Sequence, residues 1–286
     1  MRKKNIPTIR DGSLYLVLSE EYGGGTPVTY IAQQAVMGDI DILQMREKNK
    51  SREELLSLGY TLSLLCKKNS IIFIVNDDPL LAGTLDADGV HLGQEDIIKY
   101  PLNSVRKIIG DSRIIGLSTH SLEQFRKANQ MDIDYIAFGP VFPTKTKNYH
   151  IGTGDVPKVL QEATKPVIFI GGINTTNLDV LLAEGVSNIA LIRDIMQAEN
   201  ILAQTKWYKN RLINRAGGYV KARINGKEEL ISENSPTLQE LIINRGLLPQ
   251  KVVVEVNLKI IPREQWPNIQ LQNNDHVEII SFVGGG

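Results

Sequence analysis

The string QMREK sets Gln44, Arg46 and Lys48 at alternate positions, so a strand ending there would bring two cations to its tip. Two cations suit an anion, although a solvated charged loop explains five residues equally well. Further along, VNDD supplies Asn76 and Asp77, and DGVHLGQED supplies Asp96. Carboxylates beside arginine and lysine fit a Mg²⁺-pyrophosphate site, because Mg²⁺ takes one or two carboxylates and completes its shell with water and phosphate oxygens. Asp78, directly before Pro79, reads instead as a helix cap. GLSTH brings Ser118 and His120, and GPVFPTKTK brings Thr144, Thr146 and Lys147: hydroxyls and an ammonium that again favour phosphate. The run TKTKNYHIGTG has the composition of a mobile lid or of an ordinary exposed loop. Gly171 and Gly172 expose backbone N–H groups, and Arg193 in LIRD adds a cation, so a second anion site is expected there.

These residues need a scaffold that collects strand ends. Up to about residue 213, short apolar runs alternate with helix-period segments, as in parallel strands joined by crossover helices. Strands are expected at 14–18, 42–46, 71–76, 89–92, 114–118, 135–139, 167–170 and 188–192, which predicts an α/β fold, a (β/α)₈ TIM barrel spanning 1–213. In such a barrel the chemistry sits at the C-terminal strand ends, where the residues above fall. His91 lies within an apolar strand and is expected to be packed; His120 stands past a strand end, within reach of a substrate; His150 and His276 read as surface residues. Cys66, the single cysteine, falls on an amphipathic pattern as a buried thiol.

After a linker at 214–218 the pattern changes. YVKARINGKEELI reads as a hairpin turning at Asn225 and Gly226. SPTLQELIINRG follows as a helix with Ser235 as N-cap, Pro236 in the first turn and Gly246 just past the end. KVVVEV and DHVEIISFV add strands, so 219–286 is expected to be a small α+β sheet wrapped on one helix. With 32 basic and 32 acidic residues the net charge is zero, which gives no whole-molecule field for nucleic acid or an anionic membrane. No apolar run is long enough to span a bilayer, and the reading places the protein in the cytoplasm. A homo-oligomer is left open.

Together, QMREK, VNDD, DGVHLGQED, GLSTH, GPVFPTKTK and IGGI resemble the thiamine-phosphate synthase family in order and spacing over roughly residues 10–210. The resemblance implies joining of hydroxymethylpyrimidine diphosphate to thiazole phosphate with release of pyrophosphate. It implies that Gln44, Met45, Arg46, Glu47, Lys48, Asn76, Ser118 and Lys147 hold the pyrimidine diphosphate, with Arg46, Lys48, Lys147 and Ser118 acting on the departing pyrophosphate. Asp77 and Asp96 would hold Mg²⁺; Thr144, Lys145, Thr146, Gly171, Gly172, Ile192 and Arg193 would surround the thiazole phosphate. Many members carry serine where Arg193 stands, and arginine grips phosphate in a bidentate way that serine lacks. Such chemistry needs no general base, since the thiazole nitrogen is already a nucleophile.

INGKEEL, TLQELI, VVVEVN, IIPREQW and DHVEIISFVGGG resemble the thiamine-pathway sulfur carrier, a ubiquitin-like β-grasp protein, with Leu258 where a glycine often follows VN. That resemblance implies that an adenylating enzyme activates the carboxylate beyond Gly285, at Gly286, that a thiocarboxylate forms there, and that thiazole synthase takes the sulfur. Extension past Gly286 would then abolish loading. Two alternatives remain at this level. One is a thiazole tautomerase using His120, for which the carboxylates of VNDD and GQED have no role. The other is an inactive barrel scaffold bearing a carrier, for thiazole or molybdopterin.

Overall fold

The computed structural model describes residues 8–146, 148–214, 219–232, 237–272 and 274–281. It divides into two compact units, 1–213 and 214–286.

In the first unit eight parallel strands close into a barrel: β1 (Leu14–Leu18), β2 (Ile42–Met45), β3 (Ile72–Asn76), β4 (Gly89–Leu92), β5 (Ile114–Thr119), β6 (Tyr135–Phe138), β7 (Val167–Ile170) and β8 (Ile189–Leu191). β1 and β8 pair to shut the ring. Most strand residues are buried, as expected where helices cover the outer face and side chains fill the inside. Tyr15, Val17, Ile42, Ile74, Ile114, Tyr135, Ile168 and Ala190 form the interior cluster. Tyr135 fits because β5 carries Gly116 opposite it; a β-carbon there would lie 2.1 Å from the tyrosine ring.

Strand limits depart from expectation by a residue or two at some ends. β2 stops at Met45, yet the Arg46 N–H still donates to the Leu18 carbonyl at 2.9 Å, so the strand's tip stays fixed. β5 runs on to Thr119, whose buried hydroxyl donates to Ala137 O at 3.0 Å. The helices begin where local chemistry dictates. Ser51 and Glu54 form a reciprocal capping box for Arg52–Asn69, and Asp78 caps Pro79–Thr84 by accepting from Leu81 N–H at 2.8 Å. Cys66 is fully buried on the first of these helices. Lys209, on the helix Ile201–Ile213, reaches Asp41 at 2.7 Å and Gly12 O at 2.9 Å, anchoring the last helix beside the start of β1.

The second unit is a mixed sheet in the order β10-β9-β13-β11-β12. Its strands are β9 (Tyr219–Ile224), β10 (Lys227–Ser232), β11 (Val252–Val256), β12 (Lys259–Ile260) and β13 (His276–Ser281), with a helix at Leu238–Asn244. β11 alternates strictly between buried and half-buried positions. The buried face joins Leu238, Leu241, Ile242 and Trp266 in one core. The hairpin turns on Asn225 and Gly226, both at positive φ, as a tight primed turn requires. Asn225 also binds β13: its Oδ1 accepts from Ile279 N–H at 2.7 Å.

Two details correct the sequence reading of this unit. The helix is capped by Thr237, in a capping box with Glu240, so it starts later than a Ser235 cap would place it; Ser235 and Pro236 themselves lie outside the described residues. The short strand β12 was not expected, since two residues carry no periodic signal. It exists because Asn257 and Leu258 both adopt positive φ and fold the chain back on β11. Gly246, at φ 70, stands just past the helix end as expected.

Candidate active site

The C-terminal strand ends surround a cavity of about 330 Å³. Its floor is the top of the barrel's apolar interior, with Val17, Ile170, Ala190 and Ile192 among its lining residues. Gln44 and Arg46 enter from β2 and its loop, Asn76 from β3, and Ser118 from β5. Gln44, although almost wholly buried, donates its amide N–H to Asn76 Oδ1 at 2.8 Å, which fixes both amides and leaves the Asn76 amide N–H₂ as a donor group. The Arg46 Nη1 atom is buried and has no hydrogen-bond partner among the described residues. A guanidinium nitrogen without an acceptor is costly to bury, so this corner of the cavity is built for an anion.

Beside it stands a carboxylate pair. Asp77 lies beside Asp96, and its pKa is pushed up to about 6. Burial is the main cause, the neighbouring Asp96 carboxylate follows, and Lys48 and Arg46 pull the other way. Two carboxylates set side by side concentrate negative charge at this corner. Asp96 is oriented by Gly93 N–H, 2.8 Å from its Oδ2, and Asp77 takes a left-handed backbone, φ 62, with its N–H on His91 O at 2.8 Å. No group of three or more His, Cys, Asp or Glu could share a metal among the described residues. By its oxygen ligands alone, a carboxylate pair suits a hard cation that draws its remaining ligands from water and phosphate oxygens.

Across the cavity, Thr144, Lys145 and Thr146 line the wall with Gly171, Gly172 and Arg193. Thr146 N–H leans on Thr144 Oγ1 at 3.3 Å, and Arg193 Nη1 donates to Thr146 Oγ1 at 2.7 Å. Gly171 and Gly172 have φ of 99 and 68, and β-carbons there would collide with Pro140 Cβ at 2.2 Å and Pro143 O at 2.4 Å. Only glycine lets the loop after β7 lie against the loop after β6. His120 also lines the cavity; its Nδ1–H donates to Gly139 O at 2.6 Å, which leaves Nε2 as the acceptor nitrogen.

Other expected residues stand apart from this cavity. Met45 is packed in the core, its side chain on the opposite face of β2 from Gln44. The Glu47 carboxylate accepts from Glu20 N–H at 2.7 Å and ties two rim loops together; burial raises its pKa. Lys48 is exposed, close enough to Asp77 to act on its charge. Lys147, Gly285 and Gly286 lie outside the described residues.

Sequence reasoning passed over two contributors. Tyr22 stacks its ring against the Arg193 guanidinium, 4.3 Å from centroid to carbon, and steadies it over the cavity. Nothing local in EEYGGG signals that contact. Tyr135 holds a hydroxyl inside the barrel, where it meets His91 Nδ1 at 2.8 Å. Here a signal did exist: a tyrosine and a histidine in two apolar strands each need a buried partner.

Comparison with known proteins gives concordant matches. A family model described as thiamine monophosphate synthase matches residues 14–195, and one described as the ThiS family matches 220–286. A thiamine-phosphate synthase of Persephonella marina is 39% identical over 71% of this chain and 97% of its own length. One from Halalkalibacterium halodurans is 36% identical over 73% of this chain and 100% of its own. The solved structure of a thiamine phosphate pyrophosphorylase from Pyrococcus furiosus superposes with a TM-score of 0.65 at 33% identity, covering 72% of this chain and 97% of that one.

Proposed function

The chain belongs to the thiamine-phosphate synthase family and carries a ThiS domain, and from that premise we propose how each unit works. The barrel condenses 4-amino-2-methyl-5-hydroxymethylpyrimidine diphosphate with thiazole phosphate. The bond from the pyrimidine methylene carbon to the diphosphate oxygen breaks, pyrophosphate leaves with the electron pair, and the thiazole ring nitrogen forms the new C–N bond. No proton has to move. This chain's task is to stabilise negative charge on the leaving group and to hold two rings in line.

Arg46, with its unpartnered buried Nη1, is the observation that carries this reading. Around it, Gln44, Asn76 and Ser118 orient the pyrimidine diphosphate, and Lys48 and Lys147 add positive charge. Asp77 and Asp96 would hold Mg²⁺, which when bound neutralises diphosphate oxygens as the leaving group departs. On the far wall Thr144, Thr146, the glycine backbone and Arg193 receive the thiazole phosphate. Arg193 already spans from Thr146 to the Tyr22 ring, which supports a guanidinium serving that anion in this chain.

The ThiS domain acts as a sulfur carrier for thiazole formation, with an adenylating enzyme and thiazole synthase as partners and Gly285–Gly286 as the loaded end. The family match over 220–286 supports this. Two experiments test the halves separately. Purified protein with both substrates and Mg²⁺ should release pyrophosphate and form thiamine phosphate, whereas omission of Mg²⁺ or chelation should stop it; turnover that ignores chelation overturns the metal role. Incubation with ATP, a sulfur donor and an adenylating enzyme should add about 16 mass units as oxygen is replaced by sulfur; an unchanged intact mass overturns the carrier role.

A further inference from the structure

A chain of hydrogen bonds crosses the barrel interior beneath the cavity. The Tyr15 hydroxyl meets the Tyr135 hydroxyl at 2.9 Å, Tyr135 meets His91 Nδ1 at 2.8 Å, and His91 Nε2 meets Ser118 Oγ at 2.8 Å. Four strands contribute one residue each, β1, β6, β4 and β5. Tyr15 is 2% exposed, Tyr135 0% and His91 7%, so solvent has little part in the chain. The space is purpose-made, since Gly116 on β5 is what admits the Tyr135 ring. Ser118 is also held by its backbone, whose carbonyl accepts from Gln94 Nε2 at 2.5 Å.

We propose that Tyr15, Tyr135 and His91 form a relay that fixes the direction of the Ser118 hydroxyl, making it a hydrogen-bond donor to the anion bound over Arg46. The inference rests on the reading of Ser118 as a contact to the diphosphate.

Counting hydrogens decides the direction. A neutral imidazole has one N–H. If Nε2 carries it, His91 donates to Ser118, Tyr135 donates to His91 Nδ1, and Tyr15 donates to Tyr135. Each bond is then made, and the one hydrogen left over is that of Ser118, at the polar cavity. In the reverse polarity Ser118 donates to His91, His91 to Tyr135, and Tyr135 to Tyr15. The hydrogen left over is then that of Tyr15, among Ile9, Val17, Ile42 and Ile74 in the apolar interior cluster. A buried donor without an acceptor is costly, so the first polarity prevails. An imidazolium, with both nitrogens as donors, would likewise donate to Ser118, so the serine hydrogen faces the cavity in either case. Burial raises both tyrosines, Tyr15 with help from Tyr135, so neither hydroxyl ionises at neutral pH. Tyr15, Tyr135 and His91 are thus positioning residues that act through Ser118.

The test uses the full chain in steady-state assays, with thermal unfolding to show that each variant folds. Tyr135→Phe keeps the ring and removes the middle hydroxyl. It should lower kcat about tenfold while KM for the pyrimidine diphosphate changes less than about twofold, the signature of an interaction that matters in the transition state. In ¹⁵N spectra, wild-type His91 should be the Nε2–H tautomer, and Tyr135→Phe should shift it towards a mixture. His91→Gln, which retains an N–H near the Nε2 position, should keep more activity than His91→Leu. In a Ser118→Ala background neither His91→Leu nor Tyr135→Phe should lower kcat further. The relay is overturned if those losses persist undiminished without the serine, or if wild-type His91 is the Nδ1–H tautomer. If Ser118→Ala alone leaves kcat unchanged, the diphosphate contact itself falls, a result distinct from a costly Ser118→Ala with harmless relay variants.

Discussion

The two units solve opposite problems. The barrel assembles its proposed site from loops and strand tips scattered over some 150 residues, so that site depends on a closed ring holding Gln44, Asp77, Ser118, Thr146 and Arg193 in place. The ThiS domain has a well-formed core around Trp266. Its proposed reactive end, Gly285 and Gly286, needs no side chain at all. Where function is built from many side chains, single substitutions are expected to damage activity and spare the fold. Where it resides in a tail, substitutions in the folded part are expected to do the reverse.

That contrast can be broken most directly at the sites themselves. Asp77→Ala should reduce synthase turnover at least about a thousandfold, since it removes half of the carboxylate pair and no core packing, while sulfur loading in the intact-mass assay stays unchanged. Deleting Gly285 and Gly286 should give the mirror result: no thiocarboxylate, with thiamine phosphate formation at wild-type rate. If either change crosses over, the units do not work independently.

A step smaller, Arg46→Gln should cost about a hundredfold in kcat/KM, the scale for one charged donor to a leaving group, read by pyrophosphate release. Cys66 tests the barrel's fold apart from its site. Burial, helped by the Asp88 charge, pushes its thiol up to about 12. A group raised on folding contributes stability that is fully present below its unfolded value, near 8.5, and is lost as pH climbs towards 12. Native protein should resist thiol reagents until it unfolds, and Cys66→Ala should flatten the alkaline part of the stability profile.

Smallest is Leu258→Gly in the ThiS domain. Leu258 is 91% exposed with φ 64, so it sits in a left-handed turn without packing in return. The change should stabilise that domain by about 1 kcal/mol in denaturant melts, with synthase activity untouched. Trp266 fluorescence in a Trp207→Phe background reports it selectively.

Much of the architecture was legible because it is local. Asp78 before Pro79 announces a cap, and apolar runs of four or five residues between helical periods announce β1, β4 and β7 to the residue. The polar strand tips were legible as candidates for the same reason. What the sequence left hidden is non-local. The Tyr22 ring meets Arg193 from the opposite end of the barrel sequence, and Tyr15, His91, Ser118 and Tyr135 meet only once four strands close. Glu47 reads as another rim charge in QMREK until the β1 loop is present to receive it.

β13 lies inside its sheet, antiparallel to β11 on one side and parallel to β9 on the other, with Asn225 gripping Ile279. Tension applied beyond Ser281 along that strand would load these bonds together in shear, whereas an edge strand such as β12 would peel bond by bond. Mechanically, β13 is a clamp: a pull at its end is shared across both neighbours, so the domain behind it keeps its shape.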